Sequence, residues 1–174
     1  MRTMNKKIGK VTHTSGECSC ESCQEEAIEA MRERERQLIK EHGHSIRYVF
    51  NSYQTEFGVF PSIITRGLLE TENHLDLELV LPVDQQMAMY ILNTLADLIH
   101  KGFKVELNTI YQFKEFNEVP IYFEKSIQPE LEEPLYRVIL ADPAFKLPMD
   151  EGCDPHYQLQ AIIGQLGDET SILQ

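Results

Sequence analysis

The chain has 174 residues, with 16 Lys and Arg against 28 Asp and Glu and a formal net charge of −12. Hydrophobic residues make up 42% and charged residues 25%, a globular mix of single-domain length that excludes a disordered chain. The acid excess disfavours nucleic acid or an anionic membrane as partner, since such binding draws on Lys and Arg displacing phosphate counterions.

Residues 1–23 read as a flexible, Cys-containing tail, with Arg2, Lys6, Lys7 and Lys10 and no acid before residue 17. No apolar segment follows this basic start and no run approaches the ~20 residues that cross a bilayer, so a soluble, cytoplasmic protein is expected. A surface helix is expected over 24–42. Ile28, Met31 and Leu38 form a thin apolar stripe with Ile39 beside it, Glu29–Arg32 and Glu33–Arg36 pair at i,i+3, and Gly43 ends it. A stripe this thin on a charged helix suits a partner, a homodimer through 24–42 included.

Ser45 to Phe50 alternates as a strand, with a turn expected at 51–54. Val59 to Leu68 is apolar but broken by Pro61 and Gly67. Leucines 75, 77, 79 and 81 alternate with Asp76 and Glu78, which predicts a strand with one buried and one wet face. The best helix is expected over 84–101, capped by Asp84, with Met87, Ile91, Leu92, Leu95, Leu98 and Ile99 on one face. Strands are expected at 103–107, 119–124 and 136–140, a short helix or turn at 129–135, and a short helix at 156–166. The expected fold is α+β: a mostly antiparallel sheet packed by helix 84–101, with helix 24–42 on the surface. Residues 24–166 form the single domain in this reading and 167–174 a frayed end.

Several short segments, in order, resemble domain-of-unknown-function family 4262 over roughly residues 38–160. They are Glu41–Ile46, Ser62–Leu68, Asn73–Leu77, Leu81–Pro82, Ile91–Asn93 and Leu147–Pro155. The last matches by its spacing of Pro148, Asp150, Gly152, Asp154 and Pro155. This chain departs from the family pattern at Arg66, Asn73, Leu75, Met149 and Glu151. The family has no established activity, so the resemblance implies a fold and a pocket region around these motifs.

Three positions carry candidate chemistry. Cys18, Cys20 and Cys23 are three thiols within six residues, a spacing that suits Zn²⁺ with His13 or Cys153 as fourth ligand. A Cys20–Cys23 redox pair and three plain reduced thiols are the alternatives. Asp150 and Asp154 flank Gly152 and Cys153, where carboxylates can bind a cation or exchange protons, or bond to nearby backbone as ordinary turn residues. His74 precedes the leucine strand and can pair with that loop as a general base, or serve as a satisfied structural histidine. His42 and His44 flank Gly43, one facing the core and one solvent. No nucleophile elbow, phosphate loop or dinucleotide fingerprint appears. The leading expectation is a binding or regulatory protein acting through protein or small-ligand contacts. The alternative is a small hydrolase or metal-dependent enzyme using His74 with Asp150 and Asp154.

Overall fold

The computed structural model describes residues 21–55, 58–80, 83–128 and 131–169. Among the described residues four α-helices and six strands follow one another as α1 (Glu21–His42), β1 (Ser45–Thr55), β2 (Gly58–Arg66), α2 (Leu68–Glu72), β3 (Leu77–Leu79), α3 (Gln85–His100), β4 (Tyr111–Gln112), β5 (Pro120–Gln128), β6 (Glu133–Leu140) and α4 (Pro155–Glu169), with a 3-10 turn at Lys114–Phe116 between β4 and β5. The contact pattern divides the chain within α1, between Gln37 and Leu38. All strands belong to the second unit and form one sheet in the order β1-β2-β3-β6-β5-β4. Every neighbouring pair is antiparallel except β3 and β6, which run parallel. The fold is thus α+β with a mostly antiparallel sheet. No described helix is long and apolar enough to cross a membrane.

Helix α3 follows its sequence closely. The Asp84 carboxylate accepts from the Met87 N–H at 2.9 Å, satisfying one of the helix's orphan donors. Ala88, Ile91, Leu92, Leu95, Ala96 and Ile99 are buried at i,i+3/i+4 spacing. They pack on Ile63, Leu77, Leu79, Ile121, Phe123, Val138 and Leu140 from one face of the sheet. Burial of such a side chain is worth about 1.5–3 kcal/mol, so this layer is the main stabilising contact of the unit.

Other elements differ from expectation. Strand β3 is shorter than the leucine run, and its second face is not wet: Glu78 is fully buried. The cause is its place inside the sheet, between β2 and β6, where Arg137 lies in register with Glu78 and neutralises it. Asp76 is half-buried and holds a corner, accepting from Thr65 Oγ1 at 3.0 Å and the Leu68 N–H at 3.2 Å. The turn expected at 51–54 is strand, because β1 absorbs an irregularity between Val49 and Tyr53 and runs on to Thr55. Residues 103–107 form no strand. Phe103 and Val105 still pack on the core, so extended chain without a ladder meets the same apolar demand. The stretch expected as a helix or turn before Leu135 gives way to β6 at Glu133. Helix α4 runs to Glu169, into the expected frayed end, whose last five residues lie outside the described ones. The expected tail lies outside them through residue 20, and α1 begins at Glu21.

Candidate functional site

The loop between β6 and α4 gathers three aspartates, and local backbone occupies each. Asp142 accepts from the N–H groups of Ala144, Lys146 and Asp154 at 2.8–2.9 Å, and these bonds hold its carboxyl below the usual range. Asp150 accepts from the Leu147 N–H at 2.7 Å. Asp154 accepts from the His156 N–H at 2.8 Å, while its carbonyl receives Tyr157 and Gln158 at the start of α4. Cys153 is buried, with Sγ 3.5 Å from the Lys146 carbonyl, and burial pushes its thiol up. The carboxylates therefore act here as turn and cap acceptors.

His74 lies between α2 and β3, after Asn73 ends α2 in a left-handed conformation. Its Nδ1–H donates to the Leu75 carbonyl at 2.7 Å, which fixes the tautomer, and its ring stands edge-on to Tyr136. Nε2 is buried and has no hydrogen-bond partner among the described residues. Burial lowers the imidazole pKa and keeps the ring neutral. No hydrogen bond joins His74 to Asp150 or Asp154 among the described residues. Thus the structure places the three predicted residues without forming a hydrogen-bonded acid/base set.

His13, Cys18 and Cys20 lie outside the described residues, and Cys23 falls in the first turn of α1. Among the described residues no group of three His, Cys, Asp or Glu is arranged to hold a metal ion. Arg66, one of the departures from the family pattern, pairs with Glu133.

Two polar networks lie apart from the predicted site residues, the first buried and the second partly exposed. The first lies on the sheet face opposite α3. Tyr53 Oη donates to Glu78 at 2.8 Å and receives Arg137 Nη2 at 2.6 Å. Arg137 also reaches Glu78 through Nε at 3.1 Å and Ser126 Oγ through Nη2 at 2.7 Å. Burial, reinforced by the Glu78 carboxylate, pushes the Tyr53 phenol far up, so it stays protonated as the donor this network needs.

The second network joins the ends of three helices. His44 is buried and His42 exposed, one on each side of Gly43. His44 Nε2 lies 2.9 Å from Asn93 Oδ1, and His44 Nδ1 lies 3.2 Å from His100 Nε2. His100 Nδ1 meets Glu72 Oε1 at 2.7 Å. Gly43 has a φ of +81°, and a Cβ there would stand 2.4 Å from the His100 ring, so glycine alone lets the backbone rest on that imidazole. Thr71 Oγ1 donates to the Gly43 carbonyl at 2.9 Å, tying α2 to the same joint. The only sequence signal for this relay was the His-Gly-His run, since His100 lies 56 residues beyond His44. No family model, curated protein or solved structure matches this chain.

Proposed function

We propose that the protein is a binding or regulatory module that acts through protein contacts, with α1 as its docking element. Its partner in this reading is α1 of a second copy, running antiparallel. The observation that carries the reading is the exposed apolar stripe. On a helix of 22 residues, Ile28 is 49% and Met31 73% exposed. Covering such a stripe with another helix removes apolar surface from water.

Charge selects the partner and the direction. Residues 21–31 contain four glutamates and no basic residue, whereas residues 32–40 contain four basic residues and two glutamates. Antiparallel copies set the acidic half of one helix beside the basic half of the other, and parallel copies set like beside like. Within one helix Arg36 bridges Glu29 and Glu33, each at 2.7 Å. These pairs are exposed, and exposed pairs exchange partners at little cost. The stripe is short, so the contact is weaker than a standard interface of about 1,600 Å². Sedimentation equilibrium tests the proposal. The wild-type mass rises with concentration from 20.1 kDa toward twice that value, and the Met31→Glu variant stays monomeric. A wild-type chain that remains monomeric to about 1 mM overturns it.

A further inference from the structure

His74 heads a row of side chains that crosses the α3 face of the sheet. Its ring stands edge-on to the Tyr136 ring, with the centroids 5.4 Å apart. Tyr136 packs against the core layer beneath α3, so its side chain lies on that face. Its register partner on β5 is Lys125, which shares the face one strand spacing away, about 4.8 Å. The row runs from interior to solvent: His74 is 9% exposed, Tyr136 half-buried and Lys125 exposed. Ile127, 62% exposed, follows Lys125 on the same face of β5.

Each member of the row has a polar group without a hydrogen bond or ion pair among the described residues. For His74 it is Nε2, an acceptor, because the ring's one proton is held on Nδ1 by the Leu75 carbonyl. For Tyr136 it is the hydroxyl, and for Lys125 the ammonium. A buried acceptor with no donor destabilises the folded chain, and a ligand that brings an O–H removes that cost.

We propose that His74, Tyr136 and Lys125 bind a small hydroxylated aromatic carboxylate, whose hydroxyl donates to His74 Nε2 and whose carboxylate meets the Lys125 ammonium. The two ends of the row select this class. Burial keeps the imidazole neutral, so Nε2 takes a donor and repels an anion, while the ammonium takes the anion. From the His74 ring to the backbone of Lys125 the row measures about 10 Å, a span that one substituted ring covers. Tyr136 already sets a phenol ring against His74, and Ile127 adds apolar surface for an aromatic body. Since Nε2 is buried, Tyr136 is the side chain that yields on binding. No hydrogen bond holds its hydroxyl among the described residues, and rotamer changes of this kind are common where ligands bind. Turned aside, that hydroxyl can join Lys125 on the carboxylate.

The test titrates the full chain with 4-hydroxybenzoate, benzoate and phenol, followed by calorimetry and by nitrogen-15 NMR of the histidine rings. The 4-hydroxybenzoate titration shifts His74 Nε2, the nitrogen without a proton, and leaves the exposed His42 and His156 unchanged. Benzoate lacks the donor and phenol lacks the anion, and each binds roughly tenfold more weakly. Lys125→Gln, at an exposed position, weakens 4-hydroxybenzoate roughly tenfold and leaves phenol unaffected. No response at His74 Nε2 up to about 10 mM 4-hydroxybenzoate overturns the proposal. So does equal affinity for benzoate, a response shared by His42 and His156, or wild-type binding of 4-hydroxybenzoate by Lys125→Gln.

Discussion

Burial holds the His74 imidazole neutral, with its Nδ1 proton on the Leu75 carbonyl. In the unfolded chain the same ring regains a pKa near ~6.5. Below that value the unfolded state takes up a proton that the folded state refuses until its own lower pKa is reached. The contribution of His74 to stability is thus intact above about pH 6.5 and is lost as pH falls toward the lowered value. Urea unfolding of wild type and His74→Leu between roughly pH 7.5 and 5 measures this. The variant is expected to show the shallower loss of stability on acidification, and an equal slope contradicts the assignment. At this scale the sequence was legible where bonding is local. Asp150 and Asp154 stand beside Gly and Pro and bond to N–H groups two or three residues away, which is the turn reading of such residues. His100 was not legible, because nothing near it in sequence announces a partner 56 residues earlier.

The leucine strand and α3 contrast two kinds of periodicity. In α3 the apolar spacing, the Asp84 cap and the closing Gly102 all favour the same element, and the helix forms as read. In β3 the alternation correctly separates Leu77 and Leu79 from Glu78, yet the polar side is buried. Alternation reports which side chains share a face and is silent on what covers the other face. Arg137 supplies the answer from β6, with Tyr53 from β1 completing the set. Removing one member strands a buried charge. Arg137→Met is expected to cost about 3–5 kcal/mol in urea unfolding, and Glu78→Met with Arg137→Met to recover most of that loss. A single variant within about 1 kcal/mol of wild type means that the pair is not desolvated as the structure shows. Residues 103–107 carry the opposite lesson. Their alternation is real, but Phe103 meets the rings of Tyr111 and Phe113 from extended chain outside the sheet.

Across the whole molecule, class was easier to read than connection. Adjacent strand-like runs implied an antiparallel sheet, which the structure has. The parallel step from β3 to β6 had no local signal, since α3, β4 and β5 intervene in sequence. The charge arithmetic is sharpened in the same way. Acid is not spread evenly along α1: its first half is acidic and its second half basic in balance. That polarity underlies the proposed antiparallel pairing, and it makes a direct measurement possible. One variant carries Arg32→Glu, Arg34→Glu and Arg36→Glu, so that Lys40 is the one Lys or Arg left in α1 and both halves of the helix are acidic in balance. A second carries Glu25→Lys, Glu26→Lys and Glu29→Lys, so that basic residues outnumber acidic ones along α1. Sedimentation velocity of each alone and of an equimolar mixture, at low ionic strength, tests whether α1 is the docking element. The account predicts a monomer for each variant alone and a heterodimer in the mixture that dissociates as salt rises. Self-association of either variant at the wild-type level, or a mixture that stays monomeric, contradicts it.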